Sequence, residues 1–69
     1  MNKIIIIKNT NTVINVNYII YYELKESTLF IYLLNNFRVI ITADNSKEIY
    51  DQITDFISNK NVIDILIIK

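Results

Sequence analysis

The chain has no Cys, His, Gly or Pro among its 69 residues, and each absence removes a class of chemistry or of structure. Without Cys there is no disulfide and no thiolate metal site, and without His no imidazole ligand or base. Acid–base or nucleophilic work would fall to carboxylates, Lys or Tyr, and these form no recognisable motif. Phosphate-cradling loops depend on Gly. The residues therefore read as a non-enzymatic protein, with no catalytic residue, no metal site and no cofactor. Lack of Gly and Pro also passes every left-handed backbone position to other residues, of which Asn is the next best occupant.

Seven basic and seven acidic side chains cancel, which argues against a large electrostatic footprint for nucleic acid or an anionic membrane. No apolar run approaches the ~18–20 residues that span a bilayer; the longest, Leu29–Leu34, is strand-length. Lys3 and the run Ile4–Ile7 are cut short at Lys8, below the length of a secretion signal core, so the expected location is the cytoplasm. What remains is apolar packing: 52% of residues are hydrophobic, a heavy load for a single domain spanning 1–69. Ile, Asn, Lys, Tyr and Phe make up 41 of the 69 residues, all encoded by A/T-rich codons, which points to an A/T-rich genome.

Lys3–Lys8 reads as a strand apolar on both faces, and Asn9-Thr10-Asn11 as a turn. From Thr12 to Lys25 the pattern has period two but is too long for one strand, so a bend or bulge is expected near Asn15–Tyr18. Lys25-Glu26-Ser27 turns into Thr28–Leu34, and Asn35-Asn36 closes a two-residue hairpin loop into Phe37–Thr42. Asn45 as N-cap, boxed with Glu48, opens a helix from about Ser46 to Ser58 with one dry side at Ile49, Ile53, Phe56 and Ile57. Asn59-Lys60-Asn61 ends it, and Val62–Ile68 is a last strand that needs a central place in the sheet, beside the first, or a strand pairing across to another subunit. The predicted fold class is α+β: a curved, mainly antiparallel sheet of about five strands in the order ββββαβ, with one amphipathic helix on one face.

A two-residue loop pairs Leu34 with Phe37, Tyr32 with Val39 and Phe30 with Ile41 on one face, and Leu33 with Arg38, Ile31 with Ile40 and Leu29 with Thr42 on the other. Both faces are apolar, and one helix covers only one. The expected uncovered face, Leu29, Ile31, Leu33, Arg38 and Ile40, is the predicted homo-oligomer interface. Arg38, the only Arg, has two readings: an anion or cross-interface contact, or a stem that lies on apolar surface while its head reaches water. Asp64 either guards an edge or pairs with Arg38 or Lys3, and Asp51 with Asp55 makes a solvated helix face. The five tyrosines fit core and interface packing with an outward hydroxyl.

The leading expectation is an interaction protein that binds itself and a protein partner, in the manner of a phage or mobile-element accessory factor that inhibits or sequesters a host component. A binder of a small anionic ligand such as a nucleotide, contacted by Arg38 and Tyr21 between subunits, is an alternative. A nucleic-acid-binding accessory protein is another, though its basic residues are scattered at strand ends. The elements Thr12–Asn15, Ile19–Glu23, Thr28–Leu34, Asn35-Asn36, Phe37–Thr42 and Ser46–Ile57 together resemble, over Asn11–Ile57, the FlbD family of tiny bacterial proteins found at flagellar loci. The resemblance implies a small flagellar-locus structural or regulatory protein and transfers no catalytic residue. Here the family's turn glycines and Pro are missing and Val62–Ile68 is additional.

Overall fold

The structure, a computed structural model, describes residues 3–58 and 64–69. It is an α+β fold of six strands and one helix: β1 (Ile4–Ile7), β2 (Thr12–Asn15), β3 (Ile19–Lys25), β4 (Thr28–Leu33), β5 (Arg38–Thr42), α1 (Ser46–Ser58) and β6 (Ile65–Ile68). The strands form two three-stranded sheets, ordered β2-β1-β6 and β3-β4-β5, where the sequence reading had one curved sheet. All pairings are antiparallel except β1 with β6. The last strand thus pairs within the chain, at an edge beside the first. The helix end and the turn expected at Asn59-Lys60-Asn61, like Val62, lie outside the described residues.

The division into two sheets follows from the bend expected in the long second segment. A single helical turn over Val16–Tyr18 separates β2 from β3, fixed by the Asn15 side chain, which accepts from the Asn17 N–H at 2.9 Å. Beyond it, Ile20 is an extra residue between the Ile19–Leu33 and Tyr21–Tyr32 pairs, a bulge that re-aims the strand. Turns lacking Gly use the expected Asn at Asn11, Asn35 and Asn36, and also Glu26, all with positive φ.

One core joins both sheets to the helix. Ile5, Ile7, Ile14 and Ile68 from the first sheet meet Leu29 and Ile31 from the second, under Ile49, Ile53 and Phe56 of α1. Ile5, Leu29, Ile31 and Ile53 have no exposed surface at all. At about 1.5–3 kcal/mol per buried aliphatic side chain, such residues supply most of the drive for folding.

The helix entry differs from the capping box expected at Asn45 and Glu48: neither side chain forms a hydrogen bond or ion pair among the described residues. Buried Ser46 does the work, its Oγ donating to the Ser27 carbonyl at 2.7 Å and accepting from the Ala43 N–H at 3.2 Å. A tertiary tie between α1 and the β3–β4 turn takes the place of the local cap, and it gives the buried Ser46 hydroxyl its hydrogen-bond acceptor. The other end is held by Lys3, whose Nζ donates to the Phe56 carbonyl at 2.7 Å and lies over the Phe56 ring, a cation at the negative helix terminus. Tyr22 completes the docking, with its hydroxyl 2.9 Å from Thr54 Oγ1 and its ring against Tyr50.

Candidate interaction site

The β4–β5 hairpin decides where every candidate residue goes. Leu34 joins Asn35 and Asn36 in the loop, and the Leu33 N–H donates to the Phe37 carbonyl at 2.8 Å across a three-residue connection. Pairing is therefore Leu29 with Ile41, Ile31 with Val39 and Tyr32 with Arg38, one residue away from the two-residue-loop register. Such a slip turns each β5 side chain to the opposite face relative to β4. Here it places Val39 and Ile41 beside Leu29 and Ile31, and sends Arg38 and Thr42 outward with polar Thr28, Glu23 and Lys25. The alternative register would have left Arg38 and Thr42 on the face of Leu29 and Ile31, which costs more than the larger loop.

This overturns part of the expected interface. Leu29 and Ile31 are fully buried under α1, so neither belongs to an open sheet face, while Leu33 is half-buried against the same core and shows only an edge at the hairpin end. Arg38 and Ile40 do stand on the uncovered side, with Ile40 50% exposed.

Three rows cross that outer face: Tyr21, Tyr32 and Arg38; Glu23, Phe30 and Ile40; Lys25, Thr28 and Thr42. The Tyr21 and Tyr32 rings stack with centroids 4.4 Å apart and 18° between planes, and Phe30 stacks on Tyr32 at 6.3 Å. Such a ladder holds its rings rigid, at low entropic cost to a binding partner. Phe37, at 68% the most exposed large apolar side chain, lines a shallow depression of about 380 Å³ with Ile20, Tyr21, Tyr32, Asn36 and Arg38. A neighbouring depression of about 370 Å³, lined by Tyr18, Leu34 and Asn35, shares Leu33 and Phe37 with it, so the apolar surface is continuous from the sheet to the hairpin end.

The electrostatics of the face are sparse. Lys25 Nζ lies 3.5 Å from Glu23 Oε1, whereas Arg38 forms no ion pair or side-chain hydrogen bond among the described residues. The Tyr21 hydroxyl is held above the ordinary phenol value of 10.0, first by partial burial and then by the neighbouring Tyr32 hydroxyl and Glu23 carboxylate. The structure thus brings Arg38 and Tyr21, the two expected ligand contacts, into one depression. Asp64 pairs with β1 through its backbone, its carbonyl accepting from the Ile4 N–H at 2.8 Å, and Asp51 is paired with Lys47 at 2.8 Å.

Elsewhere, a cleft of about 320 Å³ between β5 and the ends of β1 and β6 has Lys69 as its one charged lining residue. The outer face of the first sheet carries the aliphatic side chains of Ile4, Ile6, Val13, Ile65 and Ile67, with the polar Asn15 beside Ile4. Among the described residues no group of three Asp or Glu side chains is placed to hold a metal ion. No helix among them is long and apolar enough to cross a membrane.

Sequence reading missed Tyr18, Ile20, Phe30, Tyr32 and Phe37 as parts of the open surface. The signal was present: putting the polar positions Arg38 and Thr42 level with Glu23, Lys25 and Thr28 selects the observed register. Comparisons with protein-family models, with curated proteins and with solved structures found no match to this chain.

Proposed function

We propose that this chain is a non-enzymatic interaction protein whose binding surface is the outer face of β3-β4-β5. The observation that carries this reading is the apolar surface that runs from Ile20, Tyr21 and Ile40 on that face to Tyr18, Leu34 and Phe37 at the adjoining hairpin end, each about half exposed or more, on a chain of 69 residues. Monomeric proteins seldom leave so large an apolar patch in water, and Tyr, Phe and Arg are the side chains enriched where proteins meet. The flat, open shape favours a macromolecular partner over a small ligand, which a concave site would enclose. A composition drawn from A/T-rich codons, with no catalytic inventory, fits a phage or mobile-element accessory factor.

Chemical cross-linking in cell extract tests the reading. The wild type is expected to form discrete adducts that vanish in Tyr21→Ser/Phe37→Ser at unchanged circular dichroism. Adducts that persist in the folded variant, or a wild type that forms none, would sink it.

A further inference from the structure

We infer that the occupant of this face is a second copy of the chain, paired across a two-fold axis that sets Arg38 of each copy against Glu23 of the other. The inference rests on the proposed binding role of the face and adds the identity of the partner.

Area comes first. A fully exposed aromatic side chain presents roughly 150–250 Å², so Tyr18, Tyr21 and Phe37 at their observed exposures offer about 100 Å² each, and Ile20, Leu34 and Ile40 somewhat less. With the exposed Arg38 and the partly exposed Phe30 and Tyr32, the face and the adjoining hairpin end of Tyr18, Leu34 and Phe37 together approach about 800 Å², the share that each partner contributes to a standard interface. Among the described residues the outer face of the first sheet has Val13, Ile65 and Ile67 at comparable exposure, with Ile4 and Ile6 partly exposed, and offers about half of that.

Charge placement supplies the second argument. Arg38 ends the row of Tyr21 and Tyr32 on β5, while Glu23 ends the neighbouring row of Phe30 and Ile40 on β3, so the two stand at opposite corners of one block centred on Phe30 and Tyr32. An in-plane two-fold through that centre, perpendicular to the line joining the corners, exchanges them. Each guanidinium then faces a carboxylate of the partner, the tyrosine ladders pack together near the axis, and the strands of the two sheets cross steeply. The face is complementary to itself. Among the described residues Glu23 has the loose Lys25 contact and Arg38 has no ion pair, so both can take part in the exchange.

Solution mass by light scattering over a dilution series is the test. Wild type is expected at twice the chain mass, and Ile40→Glu as a folded monomer; if Ile40→Glu does not fold, the exposed Tyr21→Glu carries the same test. Arg38→Glu alone is expected to weaken dimerisation about tenfold or more, and Arg38→Glu combined with Glu23→Arg to return it to within about threefold of wild type. A monomeric wild type, a dimer indifferent to the folded face variants, or a charge exchange that fails to rescue would each overturn the inference. Cross-linked adducts with a different protein, lost in Tyr21→Ser/Phe37→Ser, would also overturn it while leaving the binding face intact. Loss of every adduct-forming property in the wild type would remove both.

Discussion

The two faces of the sheet β3-β4-β5 are built from similar residues and have opposite fates. On the inner face Leu29 and Ile31 are wholly buried, while on the outer face Ile40 is half exposed and Tyr21 slightly more so. Hydrophobicity does not separate them. What separates them is parity along the strands, set by three residues in the hairpin loop, and the position of α1. A side chain on this sheet is core or surface according to which of two nearly equivalent sides received the one amphipathic element.

The largest expected contrast sets Ile31→Glu against Ile40→Glu. An unpaired carboxylate at Ile31 enters the core, and the loss of about 4 kcal/mol or more should leave a domain of this size unfolded by circular dichroism. At Ile40 the same substitution meets water, so the monomer should stay folded and lose no more than about 0.5 kcal/mol of its own stability while losing its partner. Equal damage at both sites would break the distinction between the faces. The first sheet offers the next test: Ile67→Glu, on its aliphatic outer face, should fold and leave the solution mass of the wild type unchanged.

Smaller effects sharpen the comparison. Tyr22 and Tyr21 are neighbours in sequence that point to opposite faces. Tyr22→Phe removes the hydroxyl contact with Thr54 and should cost about 1 kcal/mol, or roughly 4–8 °C in thermal melting, whereas Tyr21→Phe should barely shift it. The smallest signal is the Tyr21 titration. Because its phenol is raised in the folded chain, the folded state holds the proton more tightly, so this contribution to stability is complete below pH 10.0 and is lost as pH rises through the folded value. The near-ultraviolet difference titration of wild type minus Tyr21→Phe should show a midpoint above 10.0; a midpoint at or below it would contradict the crowded hydroxyls of the ladder.

Much of this fold was legible in the residues, for local reasons. The four consecutive isoleucines of Ile4–Ile7 are β-branched and could be little but strand; the stripe of Ile49, Ile53 and Phe56 marked the helix and its dry side; Asn11, Glu26, Asn35 and Asn36 fell in the turn segments. The break after Asn15 was visible in the length of the segment. The candidate site was less legible. Arg38 and Ile40 were placed on the open face, while Leu29 and Ile31 were assigned to it and belong to the core. Loop length caused the error: two asparagines able to take positive φ are equally compatible with a two-residue loop and with a three-residue one that includes Leu34.

By itself, then, the sequence determined which segments extend, which coil, where the chain turns, and that it carries more apolar sheet surface than one helix can cover. Those properties follow from backbone sterics and side-chain period over a few residues. Only the tertiary structure decided that the strands divide into two sheets, that β6 pairs parallel with β1, that Ser46 rather than Asn45 secures the helix, and which face of β3-β4-β5 lies open. Each of those choices compares the burial of one distant set of side chains with another. The energy that settles it exists only once the segments have met.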